Sequence, residues 1–126
     1  MIVTNENEFG EGINNNADHI EIEGDLAAKV KKMMKLNAAL WTFCLASLSV
    51  TVIAVMHMPA TAGTSGIVGI VAGTSAAAIL GPEVAVAAAT IAIAGGGIHV
   101  LRKLRRYRLE QTRNGGIILH LEKKEH

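Results

Sequence analysis

Between Leu36 and Leu101 the chain runs for 66 residues with one formal charge, Glu83. In a chain of 126 residues, the remaining polar sequence is too short to cover such a block in water. Uninterrupted apolar runs of about 18 residues or more read as membrane spans. The block therefore predicts an all-α integral membrane protein: one strong transmembrane helix, then an Ala/Gly-rich helical hairpin, with polar tails holding at most short strands.

The flanks are segregated by charge. Residues 1–25 hold seven acids and no Lys or Arg, and the stretch is rich in Asn and Gly. It reads as an acidic polar tail, largely disordered, ending in the alternating segment "HIEIEG" (His19–Gly24). Asp25 is placed to cap a helix from Leu26 that continues through "LAAKVKKMMK" into the membrane, so residues 26–58 form the helix with the first span. Residues 59–101 form the small-residue hairpin, and residues 102–126 a basic juxtamembrane helix and tail. In that last stretch the helix is expected to reach about Gln111, followed by an Asn114-Gly115 turn signal and a strand candidate at Ile117–Glu122. If both tails lie on one side, "HIEIEG" and "IILHLE" are suited to pair.

The first span, Leu36 to about His57, carries large apolar side chains and Trp41 near its Lys-bearing end, where indole anchors sit. At 1.5 Å per residue it reaches about 33 Å. The later segments, Thr64–Gly81 and Val84–Leu101, are mostly Gly, Ala, Ser and Thr, and contribute little to insertion one residue at a time. Gly81-Pro82-Glu83 between them is a turn signal. Hydropathy counts three spans, whereas basic clusters at both ends of the block place both tails in the cytoplasm and require an even number of crossings. The two are reconciled if Thr64–Gly81 is re-entrant.

Small residues recur at every fourth position, Ser65, Gly69, Gly73, Ala77 and Gly81, a pattern that lets a second helix backbone approach closely. Gly95-Gly96-Gly97 is a hinge or close-contact candidate. Glu83, beside Gly81 and Pro82, reads as a solvated turn residue. Lys31, Lys32, Lys35, Arg102, Lys103, Arg105, Arg106 and Arg108 flank the block and fit anionic lipid head groups, at about 1 kcal/mol each. Cys44 has no second cysteine to pair with. His57 and His99 are isolated from other ligand types, so no metal site is indicated. No nucleophile–base pairing, phosphate loop or cofactor motif appears, so neither an enzyme nor a cofactor is expected. No nucleic-acid recognition motif accompanies the basic charge.

The stretch from Thr64 to Leu101 resembles the Ala/Gly/Val/Ile hydrophobic hairpin of pore-forming colicins, over 38 of 126 residues, without that family's surrounding amphipathic helices. The small chain with spans and a charged C-terminal tail also looks like a phage holin, and its Asn-rich start and weakly apolar hairpin are similar to those of membrane-inserting effectors. These likenesses imply a protein that self-associates in a bilayer to permeabilise or remodel it. The alternative is a non-catalytic structural or assembly subunit whose hairpin packs on a larger membrane partner. The expected partners are a bilayer with anionic lipids and a second copy or another membrane protein.

Overall fold

The computed structural model describes residues 2–56, 71, 74–112 and 116–121. The described residues form four strands and six helices. They are β1 (Ile2–Val3), α1 (Glu6–Asn14), β2 (His19–Ile22), α2 (Asp25–Lys35), α3 (Ala38–Met56), α4 (Ser75–Leu80), α5 (Pro82–Ala94), α6 (His99–Leu104), β3 (Tyr107–Gln111) and β4 (Ile117–Leu121). The expectation of an all-α integral membrane protein is therefore wrong: the fold is mixed α/β, and among the described residues only α3 is long and apolar enough to cross a bilayer.

The sheet joins the two ends of the chain. Its order is β1-β2-β4-β3. β1 lies parallel to β2, with α1 as the crossover, and β2 runs antiparallel to β4 with His19 opposite His120 and Ile22 opposite Ile117. This is the pairing of "HIEIEG" with "IILHLE" that alternation suggested. Because side chains alternate across a strand, Ile20, Ile22, Ile117 and Leu119 all fall on one face, where they are fully buried. β3 completes a hairpin with β4, closed by Thr112 N–H donating to the Gly116 carbonyl. Asn114 and Gly115 lie outside the described residues.

The acidic stretch read as a disordered tail holds β1, α1 and β2. Asn5 caps α1 by accepting from Glu8 N–H at 2.9 Å, and Phe9 and Ile13, one helical turn apart, are fully buried. Gly10 explains the docking: a Cβ there would collide with the Ile91 carbonyl of α5 and meet Ala94 Cβ at 3.0 Å. Gly95 makes the reciprocal approach, 2.7 Å from its own would-be Cβ to the Gly10 carbonyl. Two backbones touch because neither residue carries a side chain. Low hydropathy hid this helix, since two buried apolar residues suffice when glycine supplies the rest of the contact.

Three further boundaries differ from expectation. The helix from Leu26 does not run unbroken into the span. It stops at Lys35, Leu36 is extended, and Asn37 starts α3 by accepting from Leu40 N–H at 2.9 Å. The segment Val84–Leu101 is two helices, because Gly96 and Gly97 take positive φ between α5 and α6. The basic helix expected to reach Gln111 ends at Leu104, and Tyr107–Gln111 is strand instead. There Tyr107 is buried and its hydroxyl donates to the Ala17 carbonyl at 2.7 Å, so the alternation of strand overrides the leucine spacing of helix.

Candidate functional site

α3 has two faces of different fate. Trp41, Cys44, Leu48, Thr51 and Val52 face inward and are buried. They recur at helical spacing and pack on α4 and α5. The opposite face is open. Phe43 is 64% exposed, Val50 72%, Ile53 56%, Met56 48% and Leu40 40%. No charged residue occurs in the helix. Two of its four hydroxyls bond the helix's own backbone: Thr42 donates to the Ala38 carbonyl at 2.9 Å and Thr51 to the Ser47 carbonyl at 3.3 Å. That is the way Ser and Thr are accommodated where water is absent.

α5, although nearly as apolar, has no exposed residue after its first turn. Val84, Ala85, Ala87, Ala88, Ala89, Ile91 and Ala92 are all buried, and α1, α2, α3, α4 and α6 all contact it. It is a core helix: beyond its first turn every residue is buried or half-buried. Small side chains let five helices converge on it.

At the foot of α3 a single side chain ties three segments together. Arg105, in the turn after α6, donates from one Nη to the Met33 carbonyl at 3.2 Å and the Leu36 carbonyl at 2.9 Å. These are otherwise unmet acceptors where α2 ends. The same guanidinium lies over Trp41, 5.4 Å from the ring centroid, within range of a cation–π contact. Arg105, grouped at first with the lipid-contacting residues, is thus used inside the protein. Nothing in the sequence marked it: seven other basic residues share its composition context, and its partners are 69 and 72 positions away.

The clamp joins the end of α2 to the turn after α6, two segments rich in basic residues and far apart in sequence. Lys31, Lys32 and Lys35 occupy the second half of α2, and Arg102 and Lys103 the end of α6, with Arg106 next to Arg105. Lys32, Lys35, Arg102 and Arg106 are exposed, and Lys31 and Lys103 half-buried. Arg108 departs from this group; it stands on β3, opposite His120. An open groove of about 840 Å³ between α2 and the start of α5 is lined by Lys29 and Lys32 but also by Asp25 and Glu83, so its charges balance.

Of the expected small-residue ridge, Ser65, Gly69 and Gly73 lie outside the described residues. Ala77 is buried in α4. Gly81 is not on a helix face at all. It has φ +91° and forms the turn between α4 and α5, a conformation that L side chains rarely adopt. Glu83 is exposed in the first turn of α5, and His99 bonds Asn14 at 3.1 Å. On the sheet, His120 meets Glu110 at 2.7 Å and its ring stands edge-on to His19. Among the described residues no three His, Cys, Asp or Glu side chains are grouped to hold a metal ion.

The fold and site thus define a small α/β body bearing one apolar helix with an open face. A family model described as "Uncharacterised protein PM1101" matches residues 2–123, and the chain belongs to that family. No curated protein and no solved structure matches it.

Proposed function

We propose that the chain is a non-catalytic membrane protein that lodges the outer face of α3 in lipid and self-associates there to permeabilise or remodel the bilayer. The observation that carries this reading is the exposure of Phe43, Val50, Ile53, Leu40 and Met56 on one side of an uncharged helix. Full burial of such a side chain is worth about 1.5–3 kcal/mol, and these forgo roughly half of it in water. A contiguous apolar face of this kind marks a contact surface. The 19 residues of α3 reach about 28 Å, close to the thickness of the hydrocarbon core. On this reading β2 and β4, which are hydrogen-bonded neighbours, lie on one side of the bilayer, and the chain between them crosses it an even number of times.

The test is flotation of the purified chain with lipid vesicles, followed by release of an entrapped dye. Co-flotation with dye release supports the reading; a chain that stays at the bottom of the gradient in every lipid refutes it. A second reading has its own support. Phe43, Ala46, Val50 and Ile53 are exposed at alternating three- and four-residue spacing, the seam by which one helix receives another. That favours an assembly subunit covered by a larger membrane partner. Pure protein that floats as a monomer and releases no dye would select it; a homo-oligomer with dye release selects the first.

A further inference from the structure

The first reading leaves open which lipids the chain meets and from which side. The foot of α3 bears on both. Arg105 fastens the last turn of α2 to the turn after α6, so Lys35 and the pair Arg102 and Arg106 are held around the point where α3 begins. All three are exposed. Nearby carboxylates are accounted for: Asp25 and Glu83 share the groove with Lys29 and Lys32, and Glu6 pairs with Lys29 at 3.7 Å. These acids face Lys29 and Lys32, not Lys35 at the end of α2. We propose that Lys35, Arg102 and Arg106 form a collar that seats on the anionic phospholipid head groups of a single leaflet, the one on the side of the sheet.

The inference rests on α3 being lodged in lipid. A cationic ring at the foot of an apolar helix places its charge where head-group phosphates lie, and each basic side chain near such a surface strengthens attachment about fivefold. Both sequence-distant clusters serve the same leaflet, because the ladder between β2 and β4 keeps the two flanks on one side. The attraction is also screened by salt, over about 10 Å at 0.1 M.

The experiment compares flotation of the full chain with vesicles of phosphatidylcholine alone and with vesicles containing phosphatidylglycerol. Three charges predict a preference on the order of 100-fold for the anionic vesicles, shrinking as salt is raised. Lys35→Gln with Arg106→Gln should remove about 25-fold of it and leave binding to neutral vesicles unchanged. Equal partition of the unaltered chain into both vesicles, or a double variant that keeps the full preference, overturns the collar while leaving lipid seating intact. Failure to float with either vesicle overturns lipid seating itself, and the collar with it. Stronger binding to duplex DNA than to anionic vesicles at equal phosphate would assign the charge to another partner and also overturn it. For the leaflet, Asn7→Cys and Gln111→Cys are made singly in a Cys44→Ala chain in sealed vesicles. An impermeant maleimide should label both from the same side; labelling from opposite sides refutes the single-leaflet arrangement.

Discussion

α3 and α5 are both apolar helices, one built from large side chains and the other mostly from alanine, and the fold houses them in opposite ways. α5 is surrounded by five helices, and seven of its 13 residues are buried. α3 is gripped along one face, by α4 and α5, and its largest outward residues stand in the open. Side-chain size separates them. An alanine-rich cylinder is thin enough for neighbours to close around it, as at Gly10 and Gly95, where backbones touch. A helix bearing Phe43, Val50 and Ile53 is wider, and among the described residues no element covers its outer face. Hydropathy measures the preference to leave water, and the two helices show that the destination is a separate matter.

The comparison is broken most directly by placing a carboxylate in each helix. Ala88→Asp, in the enclosed helix, should unfold the chain, with a loss above about 4 kcal/mol from an unpaired buried charge. Val50→Asp should change solution stability by no more than about 0.5 kcal/mol yet abolish vesicle flotation, since an acid in the hydrocarbon costs about 2.5–3.5 kcal/mol. Thermal unfolding and flotation of the two variants side by side decide it. Equal tolerance in both assays would mean that the two helices are not housed differently.

Next in size is the clamp that joins α3 to the body. Arg105→Ala leaves the Met33 and Leu36 carbonyls without their donor and should cost about 2–3 kcal/mol in denaturant unfolding. Arg105→Lys should recover less than half of that, because an ammonium cannot serve two carbonyls and stack on Trp41 at once.

A smaller effect tests the sheet side of the body. Burial, and secondarily the charge of Asp18, pushes the Tyr107 hydroxyl above its ordinary value, which is about 10. The folded protein therefore holds this proton more tightly than the unfolded chain. Its contribution is complete below about pH 10 and declines as pH rises from there through the folded value. Tyr107→Phe should lose about 1 kcal/mol at neutral pH with its bond to the Ala17 carbonyl. It should also flatten the alkaline fall in stability seen by circular dichroism. An unchanged alkaline limb in the variant would assign that fall elsewhere.

Smallest is the start of α3. Asn37→Ala removes the cap on Leu40 N–H and should cost up to about 1 kcal/mol. The loss should be smaller in vesicles if lipid holds the helix, which a melt in each environment will show.

Much of this was legible along the chain because it is local. The alternation in "HIEIEG" and "IILHLE" marked two strands and their pairing. Of the turn signal Gly81-Pro82-Glu83, Gly81 makes the turn between α4 and α5 and Pro82 and Glu83 open α5, and the long apolar run contained α3. The errors arose where a contact between distant residues overrode a local pattern. The first residues looked too polar and acidic to fold, yet Phe9 and Ile13 are buried where Gly10 meets Ile91. The leucines after Leu101 suggested a continuing helix until Tyr107 found Ala17. Arg105 looked like any flanking cation until its carbonyl partners, remote in sequence, were in place.

By itself the sequence determined which segments leave water, which lines carry charge and where the chain must turn, because these depend on side-chain transfer energies and backbone sterics within a few residues. Tertiary structure alone decided that β1 and β3 join the sheet, that α5 is interior and that one face of α3 is left open. Each of these depends on which surfaces remain unclaimed after every other element has packed, and no local window of residues contains that information.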